Sequence, residues 1–491
     1  MIDNEPDSSI QKIPIYETKN DNYEEEIVIN DQLRNNFFIL LCAEYIISCC
    51  DGGIIPQQNK NIQKDFNDDG DSRVGLFCSI DFIGRILGAI AMSFLINKID
   101  RKIYFSGCCF FKGFTLIVPL FTINYNINLI SRFFSGIPQT LLTSYGTIWT
   151  DQFGKRKNRS MMLPILNFST LLGVIVGYGI AIICDFFLQN SKFLAWRLSF
   201  FIEGFTLGVL GAIFLLYPKI YFSSTFYLNK DDDYKGKENL KHINDEVEQD
   251  NSFWKQLPEI LCTKLFIFMS ISNTVAFFGA RVIQFYADKY MEVVLKIKQN
   301  IKYFLFIFLC LTGPSFGNII SGIICTKIGG YASKNGMKFI LLLNIIACFS
   351  SIFITATLNP VLSIGACWIY LFCYSSAIPL QGGIIISSLS KRLKGNGFSL
   401  NMFFLNGLGS FPSSYIFSLI VDYIKEHYPQ KKEMRYRTAM TITMLYNYFG
   451  LVLAIIAGIY RFRIKGDLDN FENEEKKIVK KKERIELSNI N

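Results

Sequence analysis

Twelve apolar segments, near residues 36-56, 75-97, 103-122, 125-149, 160-184, 197-217, 259-286, 303-327, 337-357, 361-387, 398-423 and 437-461, constrain what this chain can fold into. Each is close to the roughly 20 residues that an α-helix needs to cross about 30 Å of hydrocarbon. No water there serves exposed N–H and C=O groups, so such segments become helices that satisfy their own backbone. A polar stretch from Tyr221 to Ser252 parts the first six segments from the last six. The expectation is an all-α polytopic membrane protein whose 12 transmembrane helices form two pseudo-symmetric six-helix bundles around a midplane site. The divisions are an acidic disordered tail over 1-33, an N-terminal bundle over 34-217, a polar linker over 218-258, a C-terminal bundle over 259-461 and a charged tail over 462-491. The first tail carries nine acidic and two basic residues without apolar periodicity, too little apolar surface to fold around.

Charge placement excludes several classes. The net charge of +9 sits in short loops and at helix ends rather than in one basic patch, which speaks of membrane topology and not of nucleic acid. In the first half the inner loops carry Lys98, Arg101, Lys102, Lys155, Arg156, Lys157 and Arg159 against four basic residues outside. Both termini and the linker then read as cytoplasmic. The second half runs the other way, with nine basic residues in outer loops, among them Lys289, Lys296, Lys298, Lys302 and Arg437, against six inside. All thirteen cysteines fall in apolar segments and none has metal-ligand spacing, so neither a disulfide framework nor a metal site is expected. His242 and His427 lie in polar loops. With no GxxxxGK loop and no His/Asp or Cys/His constellation inside a segment, neither a primary pump nor an enzyme is expected, and no cofactor.

Charges within the segments are few and costly. An ionised side chain at bilayer depth costs on the order of 3 kcal/mol and therefore faces protein or a wet cavity. The stretch Asn35 to Gln57 holds two, Glu44 and Asp51. Counting along the helices at 1.5 Å per residue puts Asp51 and Arg132 at matching depth, roughly 8 to 10 Å below the outer boundary. They form either a proton-sensitive latch, in which protonating Asp51 releases Arg132, or a permanent structural ion pair. Glu44 lies nearer the midplane and is expected to pair with Arg85, which has Asp81 one turn above it; its role is substrate or proton binding, or helix bridging. Glu203, on a sixth helix expected at the periphery, reads as snorkelling to the interface. Arg281 is the only strong charge away from the inner ends of the second-half segments before Asp422, which makes one cavity wall ionic and the other apolar and aromatic. That suits an amphipathic substrate. Gly173, Gly177 and Gly179, then Gly313, Pro314, Gly317 and Gly322, and finally Gly407, Gly409 and Pro412, mark tight crossings or kinks.

Four stretches together resemble a known family. They are CCDGGIIP with Asp51; INKIDRKIYF, similar to an Asp-Arg-rich gating motif, with Asn97 where Asp is usual, then Lys98, Asp100, Arg101 and Lys102; the run from Ser131 to Tyr178 with Arg132, Gly136, Asp151 and Arg159; and RLKGNGFSLNMFFLNGLGSFPSSYIFSLIVD with Gly409, Ser410, Pro412 and Asp422. Over residues 36 to 461 the chain resembles a major facilitator superfamily transporter, most like the spinster branch. The resemblance implies a monomer that moves a small-molecule or lipid-like solute by alternating access among membrane lipids, with protons as coupling ion. Loops Asn97-Lys102 and Asp151-Arg159 would be cytoplasmic locks, and the branch would make the substrate a lysophospholipid or sphingoid. The branch's glutamate two turns after Arg132 is replaced by Gln139, which cannot titrate, leaving Glu44 as the substitute carboxylate. The alternatives are a ligand sensor or scaffold without net flux and a facilitator of a sugar, amino acid or vitamin.

Overall fold

The computed structural model describes residues 10–14, 26–66, 70–95, 99–153, 159–188, 192–222, 253–331, 333–390, 393–428 and 432–464. Beyond one two-stranded antiparallel ladder, β1 (Ile10–Pro14) with β2 (Glu26–Asn30), the regular structure is helical. That ladder corrects the expectation of a structureless tail: Ile27, Val28 and Ile29 are β-branched, a choice that favours extended backbone, and β2 runs directly into the first helix. In chain order the helices are α1 (Asp31–Ser48), α2 (Asp51–Asp65), α3 (Ser72–Leu95), α4 (Arg101–Phe121), α5 (Tyr125–Phe153), α6 (Arg159–Phe187), α7 (Lys192–Leu216), α8 (Phe253–Cys262), α9 (Lys264–Val293), α10 (Gln299–Lys327), α11 (Lys334–Ala356), α12 (Pro360–Ser387), α13 (Lys394–Phe404), α14 (Phe411–His427) and α15 (Lys432–Arg463). α1 and α2 form one crossing, and so do α13 and α14, joined by a π-helical turn over Leu405–Ser410.

Among the described residues, 11 crossings are long and apolar enough to span a membrane. The remaining one, α5, has the length at 29 residues and lacks the apolarity, because it carries Arg132, Gln139 and seven serines and threonines. Polar side chains on a helix that must sit in a bilayer have to face protein. The outer surface is the converse: Phe114, Phe121, Phe304 and Val361 are exposed, the side chains a lipid-facing wall needs.

The packing repeats itself. α4 lies on α7, α3 on α5 and α2 on α6; in the second half α11 lies on α15, α10 on α12 and α9 on the π-turn and α14. Each pairing joins the same ranks in the two six-crossing halves, the sign of an internal repeat. The halves meet through α3 with α14, α6 with α10 and α2 with α9. Close approach inside the first half depends on Gly173 and Gly177 of α6. A Cβ on either would run into the carbonyl of Ile46 or Cys50, so the small-residue reading of this segment has a concrete contact. At Gly179 a Cβ would meet nothing, and that glycine is no packing point.

Two boundaries move. The segment expected over 259-286 is a short surface helix, α8, a break at Thr263, and then α9, which continues to Val293 and takes Asp288 and Lys289 into the helix. Residues 223–252 of the linker and 465–491 of the last tail lie outside the described residues.

At the terminal end of the first half, Asp100 caps α4 by accepting from the Lys102 N–H at 3.0 Å and pairs with Lys219 at 2.7 Å. Lys219 first, with the cap bond, holds Asp100 below the ordinary carboxylate range. The pair therefore stabilises the fold above the usual carboxylate value of about 3.9 and loses that effect as pH falls through the lowered value. Because the Lys219 side chain is 69% exposed, Lys219→Ala should cost under about 1 kcal/mol at neutral pH. In thermal unfolding scans the difference from wild type should vanish on acidification.

Candidate functional site

The first crossing is broken at Cys49 and Cys50, between α1 and α2. There the Gly52 N–H donates to the Cys49 carbonyl at 3.2 Å and the Gly53 N–H to Cys50 at 2.9 Å. These bonds reach three residues back instead of four, so the Ser48 carbonyl is left without its helical donor. Lys112 of α4 supplies one: its ammonium donates to Ser48 C=O and to Oε1 of Gln139 on α5.

Asp51 opens α2 and accepts from Nη1 of Arg132 at 2.8 Å, both side chains buried. Arg132 also lies 3.9 Å from Asp81 and over the rings of Phe77 and Phe200. The expected Glu44–Arg85 pair is absent. Arg85 turns to Asp81 on its own helix, with Nη2 at 2.8 Å and Nε at 3.2 Å, because the one-turn spacing lets the pair close without crossing to another helix. Glu44 instead is fully buried within the first half, facing the equally buried Lys112. Glu203 is not at the lipid interface: it is 1% exposed, with Oε1 3.9 Å from Lys112. α7 packs along α4, so a carboxylate on that face points to Lys112 rather than outward. Lys112 was missed in the sequence, although a single lysine inside the apolar run CCFFKGFTLIVPLF was the available signal.

Arg281 of α9 is half-buried and donates to Gln284 Oε1 at 2.5 Å, and Gln284 Nε2 reaches across the halves to Gly52 C=O at 3.2 Å. The guanidiniums of Arg85 and Arg281, one from each half, both lie on the ring of Phe82, at 4.7 Å and 5.0 Å. Those two distances bound their separation at about 10 Å. Asp81 serves Arg85; Arg281 has no carboxylate within ion-pair range among the described residues. Beside them the π-turn brings Gly407 against Ile86, and Phe277 meets Tyr374 edge to face. The second half is thus apolar and aromatic here with one cation, though its crossings hold further buried charge elsewhere.

That charge closes the end remote from the termini. Asp71, at the N-cap of α3, does not cap its own helix: its carboxylate takes Lys289 of α9 and the Tyr436 hydroxyl of α15, the latter at 2.6 Å. Asp422 of α14 replaces it, accepting from the N–H groups of Asp71 and Ser72 at 2.7 Å each. Asp288 binds Lys302 at 2.8 Å and the Tyr178 hydroxyl of α6. Glu292 takes Lys302 at 3.2 Å and Lys60. Lys296 pairs with Glu433 at 3.1 Å, and Arg437 donates to the carbonyls of Thr355 and Ala356. Four of the basic residues that ran against the loop count in the second half, Lys289, Lys296, Lys302 and Arg437, are therefore structural partners, and Lys289 and Lys302 are buried.

At the terminal end, Asp100 is the α4 cap described above and Arg101 and Lys102 open that helix. Asn97 and Lys98, and the side chains of Asp151 and Arg159, lie outside the described residues. Gly409 packs on Thr274 and Phe277, and Pro412 stands in the first turn of α14 after the π-turn. No grouping of three or more His, Cys, Asp or Glu among the described residues is arranged to hold a metal.

No curated protein sequence matches the chain significantly. Solved structures do. A bacterial homolog to the human lysosomal transporter Spinster, in an inward-facing and unoccupied conformation, aligns with TM-score 0.70 at 13% identity over 89% of this chain and 99% of that one. A D-xylose-proton symporter aligns at 0.60, 13% identity, 84% and 97%, and the nucleoside transporter NupG at 0.58, 12% identity, 88% and 100%. At such identities these likenesses speak for the fold. A family model of the Major Facilitator Superfamily matches residues 41–414, well over half of the chain. The chain belongs to the major facilitator superfamily, a family of multi-pass membrane transporters and not of enzymes.

Proposed function

We propose that the protein is a proton-coupled secondary transporter of an amphipathic organic solute, working by alternating access. The observation that carries this reading is where the halves are bonded. The inter-half contacts of Asp71, Asp422, Lys289, Asp288 and Glu292 gather at the end remote from the termini, directly above the buried Asp51–Arg132 pair. With both termini cytoplasmic, the end bonded in this way is the outer one. Alternation then means trading these bonds for locks in the loops Asn97-Lys102 and Asp151-Arg159. Protonation of Asp51 frees Arg132 and alters the relative energy of the two states, which is all that coupling requires.

Arg85, Arg281 and Phe82 stand where a solute between the halves would touch both. A polar head meets the guanidiniums and an apolar tail meets Phe277 and Tyr374, which fits a lysolipid-like solute as the spinster resemblance implies. A small polar metabolite is the second reading, favoured by the gap of at most about 10 Å between the two guanidiniums. Flux into vesicles containing the purified protein tests both: labelled lysophospholipid, nucleoside and xylose are offered with and without a pH gradient. Accumulation should follow the gradient for one class. Losing a charge-assisted bond of about 1.5–3 kcal/mol, Arg281→Gln should weaken apparent affinity roughly 10- to 100-fold. Gradient-independent binding without flux for every solute would turn the reading toward a sensor.

A further inference from the structure

We propose that Glu44, Lys112 and Glu203 form a proton-binding site sealed within the first half, separate from the Asp51–Arg132 pair, whose state is felt at the break between α1 and α2. The site stands on geometry; its part in coupling rests on the transport reading above. The three side chains come from α1, α4 and α7 and are at most 1% exposed. Neither oxygen of Glu44 and neither oxygen of Glu203 makes a hydrogen bond among the described residues. The Ser48 hydroxyl and the Asp51 N–H face them without completing one. A buried ionised carboxylate without donors is among the most unfavourable arrangements a protein interior can hold.

Charge balance points to the remedy. Glu44 is faced by Lys112 from α4; Glu203 is faced by Lys112, by Arg132 from α5 and by Asp51 from α2. Arg132 is committed to Asp51 and Asp81, and Arg85 to Asp81. Gln139 and Ser48, the groups that Lys112 bonds, carry no charge; Asp51 also faces Lys112 but holds Arg132 at 2.8 Å, and the thiols of Cys49, Cys108 and Cys109 around Glu44 and of Cys50 beside Glu203 are neutral. Two carboxylates thus share one ammonium, and one proton restores neutrality. Glu203 keeps Lys112 at 3.9 Å, whereas Glu44 has no cation within ion-pair range among the described residues, so the proton resides on Glu44.

Lys112 transmits the state. With Glu44 neutral, the ammonium stays on the Ser48 carbonyl that the break left unserved. When Glu44 gives up its proton, the new charge draws Lys112 away and the carbonyl loses its donor, three residues from Asp51. α6 packs here through Gly173 and Gly177, so a shift of the break is felt by the helix that carries Tyr178 to the closed end.

Infrared difference spectra of the purified full-length protein between acidic and alkaline pH provide the test, because a carboxylic acid has a C=O band that a carboxylate lacks. Wild type should show the band of one buried acid that disappears on alkalinisation. Glu44→Gln should remove it. Glu203→Gln should remove it too, because Glu44 then has Lys112 to itself and ionises. Lys112→Met should instead enlarge it about twofold, since both acids must be neutral without the ammonium. A band unchanged in Glu44→Gln and Glu203→Gln, or in Lys112→Met, overturns the proposal, as does loss of the band on adding sodium at constant acidic pH, which would make the occupant a metal cation. Circular dichroism confirms that each variant is folded. The measurement needs neither substrate nor flux: its failure leaves the transport reading standing, and failed flux leaves a positive spectrum intact.

Discussion

Asp51→Asn abolishes pH-driven uptake and leaves solute exchange partly intact: that is the result expected if the pair with Arg132 is a latch. Asparagine keeps an oxygen to accept from the Arg132 guanidinium, so the local shape survives, and it removes the one atom whose protonation would release the arginine. A gradient then has nothing to act on at this point, and uptake falls to the level of equilibration. Exchange needs only that both states be reached with solute bound, and in the neutral variant Arg132 keeps Asp81, 3.9 Å away, as a carboxylate neighbour. A permanent structural pair predicts something else. Removing one partner of a buried pair costs about 3–5 kcal/mol, so a purely structural Asp51 would lose exchange and uptake together, with a matching drop in thermal stability. Counterflow and gradient-driven uptake measured on the same vesicles separate the two. Coupled uptake equal to wild type would remove Asp51 from the coupling path.

The helices were legible because hydropathy is a local property: a run of twenty apolar residues declares a crossing whatever lies elsewhere. α5 shows the limit, since its serines, threonines, Arg132 and Gln139 make it the least apolar crossing and only its rank among the others identifies it. Asp51 and Arg132 could be matched by depth because both stand well inside their segments. Pairing fails where a nearer partner competes, and Arg85 prefers Asp81 on its own helix to Glu44 on another. Glu203 was misplaced for a related reason. Nothing in the segment itself says which face of α7 meets α4, so the interior cation that fixes the orientation, Lys112, could not be connected to it. The closed end was the least legible. Asp422 serves N–H groups 351 and 350 residues away, and an N-cap aspartate such as Asp71 reads in sequence as the cap of its own helix. The loop charges near Lys289 and Lys302 were counted as topology because sequence does not distinguish a solvated lysine from one inside an ion pair.

That borrowed cap offers the largest handle on conformation. Gly75 lies one turn into α3, and a Cβ there would collide with the Ser418 side chain and the Ser414 carbonyl of α14. Gly75→Val therefore cannot close this end as it stands, while the helix itself, free of that contact when the halves part, loses nothing in propensity, since valine is a better helix former than glycine. Asp422→Ala is milder: it strips the N-terminus of α3 of its acceptor, a loss of about 1 kcal/mol typical of caps, with the charge-to-dipole attraction lost as well. Each 1.4 kcal/mol shifts the ratio of closed to open about tenfold. Native Cys78, one turn below Gly75 and fully buried when this end is closed, reports the change when it is the sole cysteine kept. A membrane-impermeant maleimide applied from the side of the closed end should label Cys78 slowly in the parent, several-fold faster in Asp422→Ala and at least tenfold faster in Gly75→Val. Solute should protect where its binding favours closure. Equal labelling in all three would mean that the contacts of Asp71, Asp422 and Gly75 hold the halves together in every state, and a joint that never opens cannot be a gate.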